Sequence, residues 1–442
     1  MLVFLGILLT VIFGLLVSLV ISIKIHPLER LGLSYVLGVG LLTFLMFIGY
    51  LVGLKFTLAN TLIILLVSII LLLILTGKSL KSYFYELKTL RKFPKLSPLE
   101  KLIIFILVGL LIYSFIYSLY WPVADWDALA LYDFRAKLFA YTGGMEEGIN
   151  RGYFFGYPLL ISLADAWIYL LGGDNPKFVY SLFFFAFALM FYGAIRRIGS
   201  RKMALLAVLL LVTTPSIFAH SMIVYTNLPY TIYLVMGAIY LYFWLVRKEV
   251  RYLALSGLMT GLSTWTRSTE PFWLTNLIIV FAFFLYKRKP LAILLYLLFF
   301  LPIQQAWKIY ESQMAGKVFS TASQISVSLS TVLTGIDFDR VQQVLGYLYQ
   351  NVISSWYLIF ILFLVIIFLQ IKNLFHQKNF IFLIIISLNF LLLLVGTYIF
   401  SFHYSVWERI PGSAERMSMF FLPMFLFYIF TSDFVKRVFS EK

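Results

Sequence analysis

The sequence contains no cysteine, which excludes disulfides and thiol chemistry and leaves the compartment undecided. Charge is scarce as well. Only 12% of the 442 residues are Asp, Glu, Lys or Arg, about half the share in a soluble globular protein. The opening run, 2–23, has neither a basic leader nor a small-residue cleavage site, so it is expected to be a retained helix and not a signal peptide. What fills the chain is apolar: 62% of residues are hydrophobic and the mean hydropathy is +0.96. Runs of roughly 20 such residues recur, long enough as helix to cross the hydrocarbon core of a bilayer. The expected fold class is therefore all-α, a polytopic helical membrane protein.

The pattern predicts about 13 transmembrane helices, at 2–23, 31–53, 57–77, 102–120, 177–195, 203–219, 228–246, 252–267, 270–286, 291–307, 352–370, 379–401 and 417–432. Basic clusters orient them, because Lys and Arg concentrate in cytoplasmic loops. Those clusters include "KIHPLER", "RRIGSRK", "RKEVR", "KRKP" and "KNLFHQK". One apolar segment, "YPLLISLADAWIYLLGG" (157–173), spoils simple alternation if it spans. From Pro158 to Leu171 it offers only about 21 Å of helix against a core of roughly 30 Å. It also carries Asp165, which is costly to expose to lipid. It is expected to lie at the outer interface, or to dip in and return. Every basic loop then falls inside, with the N-terminus outside and the C-terminus inside. The net charge of +16 becomes a topology signal, and nucleic acid is not an expected partner.

Two outer segments are too long to be plain connectors, 121–157 and 308–351. The first holds "DWDALALYDFRAKLFAYTGG", with Leu131, Phe134 and Leu138 at helical spacing and a stop at Gly143–Gly144. It predicts an amphipathic surface helix, approached through Asp125-Trp126-Asp127. The second is rich in Ser and Thr and is expected to be half ordered. Shorter outer connectors bring further polar groups to span ends: His220, Tyr225 and Asn227; Arg267 and Glu270; His403, Glu408, Arg409, Glu415 and Arg416. Converging on one pocket, they would suit a lipid phosphate beside a hydroxyl that needs a base. Arginine matches phosphate through paired N–H donors and keeps its charge.

Each candidate also has a plainer reading. Asp125 and Asp127 stand where aspartate caps helices, although neither has Glu or Gln three residues on. Asp133 lies four residues before Lys137 and can form a helix-surface ion pair. Arg135 and Lys137 can snorkel at the interface. Arg267 and Arg416 can pair locally with Glu270 and Glu415. His220 and His403 can make ordinary interfacial hydrogen bonds. Most of the nine tryptophans fit an aromatic belt. The histidines and carboxylates lack metal-site spacing, so zinc is not expected.

Five motifs in order carry a resemblance. A span leads to the acidic Asp125-Trp126-Asp127 and a surface helix. There follow "YPLLISLADAWIYLLGG", then "YTNLPY" (225–230), the glycine-spaced "SGLMTGLSTWTRSTEP" (256–271), and "SAERMSMFFLP" (413–423). Over roughly 102–432 the chain resembles the GT-C class of integral-membrane glycosyltransferases, relatives of protein O-mannosyltransferases and the lipid A aminoarabinose transferase. It departs at Asn227, where many relatives have aspartate, and at Arg267, where many have lysine.

The chain is expected to divide into three regions: 1–101, three helices and a basic cytoplasmic loop outside the likeness; 102–432, which the resemblance makes a GT-C-like catalytic domain; and 433–442, a cytoplasmic tail. The resemblance implies a plasma-membrane enzyme that moves a sugar from a polyprenyl-phosphate donor to a lipid, glycan or protein acceptor on the extracytoplasmic face. Asp127, or else Asp125, would be the general base of a single, inverting displacement. Arg135, Lys137, Tyr157, His220, Tyr225, Asn227, Arg267, Glu270, His403 and Arg416 would bind substrate. No cofactor is required, because the leaving monophosphate is held by side chains. The alternative is a transporter or flippase for a lipid-linked glycan or small solute, although no internal repeat is visible and the polar groups sit at span ends. A non-catalytic envelope scaffold gives no reason for the charges of the first outer loop.

Overall fold

A computed structural model describes residues 1–89, 95–150, 157–268, 270–287, 290–313, 337–403, 408 and 413–439, apart from the side chains of 78, 86–89 and 403. The described residues are helical, without strands, and nine of their helices are long and apolar enough to cross a membrane. In chain order the first helices are α1 (Leu2–Ile21), α2 (Pro27–Leu51), α3 (Leu58–Thr89) and α4 (Pro98–Tyr120). A π-helical turn, Ala128–Asp133, runs into α5 (Phe134–Thr142), followed by α6 (Glu146–Asn150) and α7 (Leu160–Leu170). The middle of the chain forms α8 (Phe178–Arg196), α9 (Arg201–Val212), α10 (Pro215–His220), α11 (Asn227–Arg247), α12 (Val250–Thr266), α13 (Leu274–Lys287) and α14 (Pro290–Gln313). The last part forms α15 (Phe338–Leu348), α16 (Tyr357–Gln370), α17 (Phe380–His403), α18 (Ser413–Ser418), α19 (Leu422–Thr431) and α20 (Asp433–Val438).

Four of the thirteen expected spans are shorter than the rest. The segment 203–219 divides at Thr213–Thr214 into α9 and α10, because Pro215 can open a helix but not continue one. Pro271 likewise starts a 3₁₀ turn ahead of α13, and Pro423 lies in the first turn of the ten-residue α19. The fourth, α12, has 17 residues, and all those from Tyr252 to Thr266 are buried. Of the second long loop, 314–336 lies outside the described residues, and the helix before it runs on to Gln313.

Helix ends carry local signals. Ser97 caps α4 in a full capping box with Glu100, and Ser200 caps α9. Gly143 ends α5 and Gly172 follows α7, each at positive φ, a conformation glycine adopts without a Cβ clash.

Buried polar contacts show which helix ends lie together. Glu29 at the start of α2 meets Arg197 after α8 at 2.7 Å, and Glu100 at the start of α4 meets Arg201 at 2.7 Å. Arg251 at the start of α12 donates to the Ser22 carbonyl after α1 at 2.8 Å. These basic segments form one end of the bundle, as the charge pattern predicts. At the other end, Asn175 ties the head of α8 to the Ser118 and Trp121 carbonyls, and Phe56 N–H donates to the Gly143 carbonyl at 2.7 Å. Exposed Tyr120, Trp121, Trp126 and Tyr141 ring this second end, as an aromatic belt would.

Helices α11 and α12 form the interior, with nearly every side chain covered, while α3, α4 and α16 present exposed Ile, Leu and Phe outward. The chain before residue 101 shares this core. Tyr35 donates to the Val179 carbonyl at 2.9 Å, Tyr233 to the Val36 carbonyl at 2.7 Å and Trp265 to Thr43 at 3.1 Å.

Segment α7, expected to lie at the outer interface or to dip in and return, begins and ends at the belt end of the bundle and is packed inside the protein. Every residue from Leu160 to Ile168 is buried, against α1, α2, α5 and α12. Tyr180 donates to one oxygen of Asp165 there at 3.1 Å. The surface helix, for its part, turns a different face inward. Tyr132, Asp133, Arg135, Ala136 and Phe139 are buried, whereas Phe134 is exposed and Leu131 and Leu138 are half-buried. The partners of its polar residues explain the reversal, as the site shows.

Candidate functional site

Asp127 stands one residue before the π-helical turn, in helical conformation, and its side chain makes no cap bond. The capping reading therefore does not apply to it. Its carboxylate is 45% exposed and lies 3.8 Å from Nη1 of Arg416, itself 34% exposed and carried by α18. That separation is an ion pair but too long for a hydrogen bond, so both groups keep bonding capacity toward a third body. Arg416 also lies over the Tyr225 ring at 5.9 Å. It does not pair with its neighbour Glu415, which accepts a 2.5 Å hydrogen bond from Ser216. Tyr225 is half-buried, and its hydroxyl is held above its usual pKa by burial and by the nearby Asp127 charge.

Asp125 takes the other flank. Its carbonyl accepts from Leu129 N–H at 2.9 Å. Beyond it lies Lys177, a buried residue that sequence reasoning did not single out. The ammonium sits 4.8 Å from the Tyr117 ring centroid, and burial pulls its pKa down while the Asp125 charge pulls it back up. The acidic motif thus has a cation on each side, supplied by segments distant in sequence.

Behind Arg416 lies a more enclosed layer. Arg267, next after α12, donates through Nε to Glu270 at 2.8 Å, through Nη2 to the other Glu270 oxygen, and through Nη1 to Thr226 at 2.9 Å. Its guanidinium lies over the rings of Tyr157 and Phe420, at 5.4 Å and 5.6 Å. Burial works against that charge, and Glu270 more than offsets it, so the group stays protonated. The local-pair reading is what the structure shows for Arg267. Tyr157 is pushed up to about 12, chiefly by burial, and its ring contacts Tyr132. Tyr132 and Thr226, both buried and 3.4 Å apart through their hydroxyls, bridge the surface helix to the head of α11.

Arg135 and Lys137, expected to face phosphate or acceptor, each have a partner within the protein. Arg135 is fully buried and donates to the Tyr157 carbonyl at 3.0 Å. Lys137 pairs with Asp133 at 2.7 Å, and Tyr169 donates to the other Asp133 oxygen. The expected Asp133–Lys137 ion pair is present, with Lys137 exposed and Asp133 buried. Together these bonds hold the helix with its charged face inward.

His220 closes α10. Its Nδ1 is 2.7 Å from the Ser216 carbonyl, and burial, with Arg416 and Arg267 nearby, lowers its pKa to about 4. Asn227 is buried in the first turn of α11, where its carbonyl accepts from Thr231. The His403 side chain and Arg409 lie outside the described residues. Among those described, no cluster of three or more His, Asp or Glu could hold a metal ion.

The structure therefore brings Asp127, Tyr225, Arg416 and His220 together, with Tyr157, Arg267 and Glu270 just behind, at the end opposite the basic loops. Chemically the arrangement offers an accessible carboxylate, an accessible guanidinium and a neutral imidazole. No family model, curated protein or solved structure matches the chain.

Proposed function

We propose that the chain is a polyprenyl-phosphate-sugar-dependent glycosyltransferase of the GT-C type, in the plasma membrane, with its site on the extracytoplasmic face. One observation carries the reading: an accessible carboxylate and an accessible guanidinium, Asp127 and Arg416, held 3.8 Å apart without a direct hydrogen bond. The acceptor hydroxyl attacks the anomeric carbon as Asp127 takes its proton. The bond between that carbon and the phosphate oxygen breaks, and the lipid phosphate leaves with the electron pair beside Arg416. One displacement inverts the anomeric centre. Base assistance of this kind supplies about 10²–10⁴-fold in rate, and a fixed cation where charge develops adds to it. On this reading the four shorter helices also count as crossings, and the basic loops then fall on the cytoplasmic side.

The test is transfer in proteoliposomes supplied with a panel of polyprenyl-phosphate sugars and candidate acceptors, comparing the parent with Asp127→Asn and Asp125→Asn. Donor consumption that collapses in Asp127→Asn supports the assignment. Full turnover in both variants removes the carboxylates from the chemistry. Passage of a solute or lipid across the bilayer with no donor consumed makes the protein a transporter.

A further inference from the structure

His220 presents an unusual group to this site. The imidazole is 6% exposed, and Nδ1 sits 2.7 Å from the Ser216 carbonyl, which can only accept. The proton of the neutral ring is therefore on Nδ1, and Nε2 carries a bare lone pair. That Nε2 is buried and has no hydrogen-bond partner among the described residues. Buried polar atoms in folded proteins are mostly satisfied, so one beside a candidate site is a natural place for a ligand's donor. The ring lies 6.2 Å from that of Tyr225, which Arg416 covers.

The surroundings select the partner. It must bring a proton to donate, so an ionised phosphate or carboxylate does not serve. It must also be uncharged. Arg416 and Arg267 already place positive charge around the ring. Of the nearby carboxylates, Glu270 holds Arg267, Glu415 accepts from Ser216, and Asp127 faces Arg416. An ammonium group would meet the two cations Arg416 and Arg267. A neutral hydroxyl fits both conditions. Resting on the transferase reading, we propose that His220 Nε2 accepts a hydrogen bond from a hydroxyl of the donor sugar, so that the site selects neutral sugars over those bearing an ammonium at that position. Arg416 holds the phosphate, and His220 reads the sugar.

Binding to the full-length protein in nanodiscs at pH 7.4 tests this with three probes: undecaprenyl phosphate alone, undecaprenyl-phosphate-glucose, and an undecaprenyl-phosphate amino sugar. The parent is expected to bind the glucose conjugate most tightly. His220→Phe is expected to lose about tenfold in affinity for it, the scale of one hydrogen bond to a buried group, with affinity for bare undecaprenyl phosphate unchanged. The unchanged affinity also reports that the variant is folded. His220→Gln, which keeps an acceptor, should recover part of the loss, and it carries the test if the phenylalanine variant does not fold. Equal losses for conjugate and bare lipid, no loss, or a preference for the amino sugar overturns the assignment while leaving the transferase reading in place. A parent that binds none of the three overturns both.

Discussion

Arg416 Nη1 and Asp127 Oδ2 stand 3.8 Å apart, joining the first long loop to a short helix near the end of the chain. Both side chains are substantially exposed, so water screens the pair and its stabilising effect is about 1 kcal/mol or less. Its importance to turnover is expected to be far larger. Asp127→Asn and Arg416→Gln should each lower transfer by about 10²-fold or more while leaving thermal stability in detergent close to that of the parent. A double-mutant cycle on turnover checks this. Additive losses would mean that the two residues act separately, and a stability loss as large as the rate loss would make the pair structural.

The Arg267–Glu270 pair is expected to behave in the opposite way. Its side chains are only 13% and 17% exposed, and the guanidinium is fixed on both Glu270 oxygens and on Thr226. Removing one partner strands a largely buried charge, at about 3–5 kcal/mol. Glu270→Ala should therefore lower the melting temperature clearly, and Arg267→Lys should not rescue it, because an ammonium cannot match a planar fork. Melting curves without ligand suffice, and a Glu270→Ala protein as stable as the parent would discount the pair.

Much of the scaffold was legible because bilayer length, apolar composition and the placement of Lys and Arg are linear properties of the sequence. The meeting of Asp127 with Arg416 was legible in outline, since both sit at span ends predicted to share one face. Two features misled. Leu131, Phe134 and Leu138 do form a stripe, but the inward face of that helix is set by Asp133 with Lys137 and Tyr169 and by Arg135 with the Tyr157 carbonyl. Only the first of those partners is local in sequence. Lys177 and Thr226 were missed because a lone lysine or threonine at a helix head has no pattern of its own. Pro215 was a readable sign that the span at 203–219 is broken, though apolar content outweighed it.

Helices α1 and α2 touch through backbone. A Cβ built on Gly38 would lie 2.1 Å from the Thr10 carbonyl oxygen, and one on Gly14 would lie 1.9 Å from that of Ser34. Small residues at such crossings allow the close approach on which helix packing in membranes depends. Gly38→Val cannot be absorbed by a rotamer change and is expected to destabilise by about 1–3 kcal/mol or more. Gly109→Ala on α4, whose added carbon meets nothing within 4 Å, should be neutral. Parallel thermal denaturation of the two variants decides it, and equal effects would mean that the crossing is not tight.

His220 also predicts a pH dependence of stability. Its folded pKa is about 4, against 6.5 for a free histidine, with burial the main cause. Below pH 6.5 the unfolded chain takes up a proton that the folded protein refuses until about pH 4. Stability should therefore fall as pH drops through that window and be unaffected by this group above it, with a full effect of about 3 kcal/mol. His26, held down to about 4 by burial and by Arg196 and Arg197, contributes in the same range. The comparison with His220→Phe is thus the informative one: its melting temperature should decline less steeply between pH 6.5 and 4. Identical slopes would place the Nε2 lone pair in contact with water.

The absence of native cysteine allows the sidedness of the site to be tested directly. Tyr141 is 84% exposed at the belt end, and Glu249 is exposed between α11 and α12 at the basic end. Cysteine placed at each position should react with a membrane-impermeant maleimide from opposite sides in intact cells, Tyr141→Cys from outside and Glu249→Cys only after permeabilisation. The bundle fixes the two ends relative to each other, and the charge rule fixes which end faces the cytoplasm. The reverse pattern would put Asp127 and Arg416 in the cytoplasm, away from donors presented on the outer face. Labelling of both from one side would contradict the arrangement of α11 and α12 as crossing helices.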